Sequence, residues 1–200
     1  MVILYLDIET DSQNEEPHPK DKIITIQYKE SGQKPPFILK EWEWRDDGER
    51  HIIQDFYDYL NSTVSKGNVQ IIGFNLFRLD IPFLIYKLMH FNIDTLERII
   101  EKFRSAYWRD LRYCLYPFNN FSFKRLSEEE VAKRLGLKHP EPPSRYIPKF
   151  YRAKEYEKII KHIESEFKFF ENLNWKLTRE LDDVIARYKE TSGGVPCNVV

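Results

Sequence analysis

Two acidic residues, Asp7 and Glu9, end the first apolar stretch of the sequence, in the run Asp7-Ile8-Glu9-Thr10. Side chains two positions apart on a β-strand point to the same face, so the two carboxylates should project together. Two like charges a few ångströms apart repel each other unless a cation lies between them, and hard divalent cations take oxygen ligands. The pair indicates a divalent-cation site, although a strand ending in a polar loop would look the same.

A second polar pair, Asn75 and Asp80, lies where a later apolar strand gives way to a helix. Asp80 could contribute to the same site, or it could only cap the helix, since carboxylates are favoured at helix N-termini. Asn75 is also typical of an ordinary turn. The residues themselves leave both alternatives open.

A third group lies on the long C-terminal helix, where His162 and Glu166 are four residues apart and share a face. At about 100° per residue, Glu166 lies only about 60° from Ile163, at the edge of the apolar stripe. Taken alone, this pair would also suit a solvent-exposed helix face. Its assignment to a site depends on the other acids.

The elements that position these residues follow from hydrophobic periodicity and turn residues. Strands are predicted at 2–8, 22–28, 37–44, 69–74 and 107–116. Helices are predicted at 49–65, 81–89, about 94–104, 122–136 and 154 to about 188, with a break in the last near 172–174. Ser127 and Glu130 fit a capping box, Gly136 fits a C-cap, and the prolines of 138–148 indicate a loop. This order predicts an α/β protein with a mixed five-stranded sheet flanked by helices.

Composition limits the class of protein further. A chain of 200 residues predicts one domain over 1–190, with a flexible tail at 191–200. Lys and Arg number 31 against 32 Asp and Glu, which excludes a polycationic nucleic-acid-binding protein but not a local site for nucleic acid. Cys114 and Cys197 form no framework and no apolar run could span a membrane, so we expect a cytoplasmic protein with no membrane partner.

In order, the chain carries Asp-x-Glu, then Asn-x4-Asp, then His-x3-Glu, and this series resembles the DEDD superfamily of 3′–5′ exonucleases. It is most similar to the proofreading exonuclease domain of family-B DNA polymerases and its stand-alone relatives. The motif I-I-G-F-N-L-F-R-L-D-I-P-F-L at 71–84 is the most specific part. F-S-F-K-R-L at 121–126, V-A-K-R-L-G-L at 131–137 and Y-E-K-I-I-K-H-I-E-S-E at 156–166 also resemble that family.

The resemblance implies a ribonuclease H-like fold and two Mg²⁺ or Mn²⁺ ions held by four acids. Asp7 would bridge both ions, Glu9 would hold the ion that activates the attacking water, and Asp80 would serve the second ion. Glu166 matches the fourth acid, which the family usually has as Asp, with Glu164 next in line. His162 would orient or deprotonate the water, although its four-residue spacing is that of the family's Tyr branch.

The resemblance also implies a substrate, the single-stranded 3′ end of a nucleic acid, with DNA favoured. Thr10, Asn75, Leu76 and Phe77 would contact the terminal nucleotide. Further phosphate contacts could come from Arg78, Lys124 and Arg125, whereas Asp110 is expected to be structural. Two alternatives stay open: a catalytically weakened relative that binds nucleic acid or protein, and an RNA-processing 3′–5′ exoribonuclease. A replication or repair protein is a further expected partner.

Overall fold

The computed structural model describes residues 1–14 and 17–191. Most of the predicted tail, from residue 192 onward, lies outside the described residues. The strands are β1 (Val2–Thr10), β2 (Ile23–Glu30), β3 (Phe37–Lys40), β4 (Val69–Gly73) and β5 (Tyr107–Asp110). The helices are α1 (Gly48–Ser65), α2 (Asp80–His90), α3 (Leu96–Arg104), α4 (Leu111–Leu115), α5 (Glu128–Leu135), α6 (Ile147–Arg152), α7 (Tyr156–Arg179) and α8 (Leu181–Thr191).

The five strands form one mixed sheet in the order β3-β2-β1-β4-β5. β1 pairs antiparallel with β2, and β2 pairs antiparallel with β3, as expected for a meander. β1 and β4 are parallel, as are β4 and β5. The predicted α/β class, with a mixed five-stranded sheet flanked by helices, is therefore confirmed. β1 is central, and its C-terminal end carries the first two acids.

Both faces of the sheet are covered by apolar cores. Leu4 and Leu6 of β1 pack into one core with residues of α1, α2 and α3. Tyr5, on the opposite face of the same strand, packs into the other core with residues of α4, α5, α7 and α8. This alternation places the odd-numbered residues of β1 on the α7 side. Among the described residues, no helix is both long and apolar enough to cross a membrane.

Several element boundaries differ from the predictions. The strand predicted at 107–116 ends at Asp110, because the Asp110 carboxylate accepts hydrogen bonds from the N–H groups of Arg112 and Tyr113 and starts α4. The strand predicted at 37–44 ends at Lys40 and continues as a short 3₁₀ turn, Glu41–Glu43. The helix predicted at 122–136 is formed only from Glu128, with the capping box and the Gly136 C-cap as expected. Side-chain caps at Asp110 and Ser127 account for the first and third differences, and hydrophobic periodicity does not report such caps.

The C-terminal region also differs in detail. The proline-rich segment 138–148 runs into a 3₁₀ turn, Ser144–Tyr146, and then into α6, whose first turn holds Pro148. The long helix is interrupted at Glu180, not at 172–174, because the apolar residues Phe170, Leu173 and Leu177 keep that part of α7 packed on the sheet.

Candidate metal centre

The first two acids lie side by side on the α7 face of β1. Asp7 and Glu9 continue the face of Tyr5, and both are buried. Their cross-strand neighbours on β2 are Gln27 and Thr25, respectively. The Gln27 amide donates a hydrogen bond to Asp7 Oδ2 over 2.5 Å, which holds that carboxylate in place. Gln27 is a site residue that the sequence reading missed, since only strand register places it opposite Asp7.

Asp80 reaches the same place from α2. Its Oδ1 atom accepts a hydrogen bond from the backbone N–H of Ile8, with 3.0 Å between the atoms. Asp80 is the first residue of α2, and Leu79 occupies the N-cap position without a side-chain cap. Asp80 is therefore not the helix cap that the sequence allowed. Gly73, at the end of β4, permits β4 to lie close to β1, because a Cβ there would lie 2.5 Å from the Leu6 carbonyl oxygen.

His162 and Glu166 lie one turn apart on the buried face of α7, above Glu9. His162 Nε2 lies 2.9 Å from Glu9 Oε1 and 3.6 Å from Glu166 Oε2. His162 is 0% exposed and Glu166 only 4% exposed, whereas Glu164 points to solvent. The helix therefore presents Glu166, and not its neighbour, to the acids of β1.

The carboxylates at this centre are costly to ionise together. Burial raises the pKa of Asp7 well above its usual value, and the nearby carboxylates of Glu166, Asp80 and Glu9 raise it further. Burial also raises the pKa of Asp80, with Glu166 adding to the effect. The pKa of Glu9 is raised by burial in spite of the opposing attraction of His162. Clustered buried acids of this kind need a compensating positive charge.

The His162 ring carries such a charge when no other cation is present. Burial alone would lower the pKa of His162, but the attraction of Glu166 and Glu9 outweighs it and raises the pKa to about 12. On its other side, Nδ1 lies 2.5 Å from the carbonyl oxygen of Pro142. A carbonyl can only accept a hydrogen bond, so Nδ1 must carry a proton and donate.

The residues at this centre fit a metal ion. Ligand atoms from Glu9, His162 and Glu166 all lie within 4.8 Å of one another, and all three residues are buried. Glu9 Oε1, Glu166 Oε2 and His162 Nε2 make no hydrogen bond of acceptable geometry within the described part of the chain. Buried polar atoms left this way are unusual in native proteins, and an ion among them is one explanation.

The centre opens into a cleft of about 780 Å³, lined by Asp7, Glu9, Asp80 and Glu166 among other residues. Glu128, half-buried at the start of α5, also lines the cleft. Burial raises the pKa of Glu128 well above its usual value, and the nearby Glu166 carboxylate adds to the effect. Glu128 is a fifth acid that the sequence analysis missed. It belongs to a run of three Glu residues at 128–130, and acidic residues are common in the first turn of any helix.

Four basic residues that the sequence analysis did not assign to the site also line the cleft. They are Arg112, Arg145, Lys149 and Arg152. Arg152 forms an ion pair with Asp11 over 2.7 Å, and Arg112 donates a hydrogen bond to Asn75 Oδ1 over 2.7 Å. The sequence places α6 and α4 too far along the chain for periodicity to connect them with β1.

The residues predicted to contact a nucleotide are in different environments. Thr10 and Asn75 line the cleft. Leu76 is 0% exposed in the core beneath α2, so its side chain offers no surface to a ligand. Phe77 is 44% exposed, and its ring packs edge-on against Tyr113, with 5.4 Å between the centroids.

Asp110 acts as a structural carboxylate, as expected. Its Oδ1 accepts hydrogen bonds from the N–H groups of Asn75, Arg112 and Tyr113, and its Oδ2 accepts one from Phe77 N–H. Asn75 adopts a left-handed conformation with φ of 67°, which this network holds in place. Asp110 therefore shapes the loop after β4 that separates Asn75 from Asp80. The predicted phosphate contacts Arg78, Lys124 and Arg125 are all exposed.

Comparison with known proteins supports the fold. No protein-family model and no curated protein sequence matches the chain. Among solved structures, the chain is similar to the family B DNA polymerase from the hyperthermophilic archaeon Pyrobaculum calidifontis, with a TM-score of 0.65 and 16% sequence identity. The similarity covers 96% of this chain but only 29% of the polymerase chain. The likeness concerns the fold, and it fits a ribonuclease H-like fold.

Proposed function

We propose that this protein is a metal-dependent 3′–5′ exonuclease that removes nucleotides from single-stranded 3′ ends, with DNA favoured as the substrate. One observation carries the proposal: four buried acids from β1, α2 and α7 converge on one open cleft. They are Asp7, Glu9, Asp80 and Glu166. Such a cluster is unfavourable without bound cations, so its presence in a folded chain supports a metal-dependent role.

The four acids would hold two divalent ions, Mg²⁺ or Mn²⁺, with Asp7 between them. Two such ions about 3.5–4 Å apart activate a water and stabilise the attacking and leaving oxygens of a phosphodiester. The chain's own residues orient these acids: the Gln27 amide holds Asp7, and the Ile8 N–H holds Asp80. The proposal includes His162, whose ring contacts Glu9 and Glu166.

The surroundings of the acids suit a nucleic-acid strand. Arg145, Lys149 and Arg152 line the cleft beside the acids and could contact backbone phosphates. Thr10 and Asn75 lie on its wall, where the terminal nucleotide would approach the acids. Phe77 is exposed next to Asn75, and an exposed ring can stack on a base of a single strand.

The test is incubation of the protein with 3′-labelled and 5′-labelled single-stranded DNA and RNA, in Mg²⁺, Mn²⁺ or EDTA. We expect stepwise shortening from the 3′ end, with metal and not with EDTA. Faster cleavage of RNA would favour the exoribonuclease alternative. Cuts inside the strand before end shortening would contradict the exonuclease proposal. Retention of labelled strands without any cleavage would favour the catalytically weakened binding module.

A further inference from the structure

His162 is oriented by the loop that precedes α7. Nδ1 donates to the carbonyl oxygen of Pro142, so the lone pair of a neutral ring is on Nε2. The loop itself is fixed to the helix, because the Glu141 N–H donates to Ser165 Oγ over 3.0 Å. Metal-bound histidines commonly donate their second ring N–H to a backbone carbonyl in this way, which directs the other nitrogen at the ion.

We propose that Glu9, His162 and Glu166 form one metal site in which His162 Nε2 is itself a ligand, and that the site prefers a transition-metal ion over Mg²⁺. The proposal deepens the proposed function and rests on it for its chemical purpose. In this proposal, His162 is a metal ligand and not the general base that activates water.

The distances from His162 Nε2 to the two carboxylate oxygens suit a single ion. With metal–ligand bonds of about 2.1 Å, ligand atoms are about 3.0 Å apart at right angles and about 3.4 Å apart in a tetrahedron. The separations of 2.9 Å from Nε2 to Glu9 Oε1 and 3.6 Å from Nε2 to Glu166 Oε2 bracket these values. The three residues are buried, so the site needs little ordering when the ion binds.

A general base has to reach the water that it deprotonates. His162 is 0% exposed, and the residues that line the cleft include its neighbours Glu9 and Glu166 but not His162 itself. When the ring is neutral, the Nε2 lone pair faces two carboxylate oxygens. Three acceptor atoms this close together require a positive charge among them. A divalent ion can bind all three atoms at once and brings two positive charges, whereas a proton on Nε2 brings one.

The ligand set also sets the choice of ion. Mg²⁺ takes oxygen ligands in near-ideal octahedral geometry and keeps several waters. Imidazole nitrogen together with carboxylates suits Zn²⁺ and other divalent transition-metal ions, for which affinity rises along the first row. A site with one nitrogen and two carboxylate oxygens should therefore bind Zn²⁺ more tightly than Mg²⁺.

The test is calorimetric titration of the full chain with Zn²⁺ and, separately, with Mg²⁺. We expect His162→Gln to weaken Zn²⁺ binding by at least about tenfold, because an outer-shell change alone costs about 10–100-fold. Mg²⁺ binding should change by less than about threefold. The matched control is His90→Gln, which removes an exposed imidazole at the end of α2 and should leave both affinities unchanged. Equal Zn²⁺ affinity of wild type and His162→Gln would overturn the proposal.

A second measurement avoids the variant, in case His162→Gln does not fold. Long-range ¹⁵N–¹H NMR spectra of the wild-type protein report the protonation of each ring nitrogen in its five histidines. On saturation with Zn²⁺, His162 should keep its proton on Nδ1 while Nε2 moves to the metal-bound position. Unchanged His162 resonances at saturation would overturn the proposal.

The two proposals can fail separately. Zn²⁺ binding through His162 with no cleavage of any strand would remove the exonuclease function and keep this ligand set. If the protein cleaves strands but its Zn²⁺ affinity does not depend on His162, the proposed exonuclease function stands and the proposed ligand set is wrong.

Discussion

The backbone N–H of Ile8 donates a hydrogen bond to the Asp80 carboxylate, with 3.0 Å between the nitrogen and Oδ1. Ile8 lies between Asp7 and Glu9 on β1, so this bond fixes the start of α2 against the strand that carries both acids. Metal sites depend on such hydrogen bonds from surrounding groups to orient their carboxylates. The predictions below depend on this assembly.

A substitution at Asp7 should abolish exonuclease activity without lowering the stability of the fold. Asp7→Asn removes the central carboxylate while its amide can still accept from Gln27. Because burial and neighbouring acids make the Asp7 charge unfavourable, we expect the variant to be at least as stable as wild type in EDTA. Exonuclease activity should fall below detection in gel assays, and urea unfolding should measure stability.

The matched control for that variant is Asp55→Asn, at an exposed position on α1 that is remote from the cleft. It should change neither activity nor stability by a measurable amount, as is usual for surface substitutions. Wild-type cleavage by Asp7→Asn would show that the acids of β1 are not the site.

Substitutions at Glu166 test whether this residue is the fourth metal-binding acid. A Glu side chain is one methylene longer than Asp, and larger ions tolerate distorted geometry better than Mg²⁺. We expect weak activity with Mg²⁺ and clearly higher activity with Mn²⁺. Glu166→Gln should lower kcat by orders of magnitude, whereas Glu166→Asp should retain or raise activity with Mg²⁺. Steady-state kinetics on a labelled single strand measure both effects.

Glu164→Gln is the control for the Glu166 variants, since Glu164 is exposed on the same helix two residues earlier. Its kinetics should match those of wild type. Loss of activity in Glu164→Gln with none in Glu166→Gln would show that α7 presents its other face to the site.

Glu128 gives a pH-dependent prediction. Its pKa in the folded chain is raised well above 4.5, so the folded state holds this proton more tightly than the unfolded state. The contribution of Glu128 to the free energy of unfolding in EDTA is then greatest below about pH 4.5, and it falls as pH rises toward the raised pKa. The loss is about 1.4 kcal/mol for each pH unit that separates the pKa of the folded state from that of the unfolded state. Glu128→Gln cannot ionise and should lose less stability over this range.

The measurement is urea unfolding of wild type and Glu128→Gln between pH 4 and pH 8, in EDTA. The stability advantage of the variant should grow with pH. Glu129→Gln, at the exposed neighbouring position, should follow wild type. An advantage that shrinks with rising pH would contradict the shared environment of Glu128 and Glu166.

Metal binding should stabilise the protein. An ion that binds only the folded state adds RT ln(1 + [L]/Kd), or about 2.7 kcal/mol at a hundredfold excess over Kd. Thermal melts in EDTA and in millimolar Mn²⁺ should therefore differ by several degrees, and the difference should vanish in Asp7→Asn combined with Glu166→Gln. Identical melts of wild type in both conditions would argue against a metal centre.

Asp110 is expected to act on structure and only indirectly on activity. Asp110→Ala leaves four backbone N–H groups without their acceptor, including those that start α4. We expect a loss of about 2–4 kcal/mol, from the helix cap and the buried donors together. Unfolding in urea measures it. A loss below about 0.5 kcal/mol would show that water replaces the carboxylate.

Local sequence rules predicted much of this protein. The two-residue period of a β-strand placed Asp7 and Glu9 on one face, and the structure has them there. The spacing of His162 and Glu166 put them on one helix face, which the structure also has. Strand and helix periods are properties of neighbouring residues, so a sequence carries them directly.

The tertiary structure determines which residues of other elements contact those faces of β1 and α7. No local pattern connects Glu128 or Gln27 with the acids, since one depends on how α5 packs and the other on strand register. Asp80 could have been a helix cap, and only the approach of α2 to β1 gives its carboxylate to Ile8. Likewise, the tautomer of His162 is set by Pro142, twenty residues away. Long-range packing fixes such partners, because it balances burial of the whole core and not the preferences of single segments.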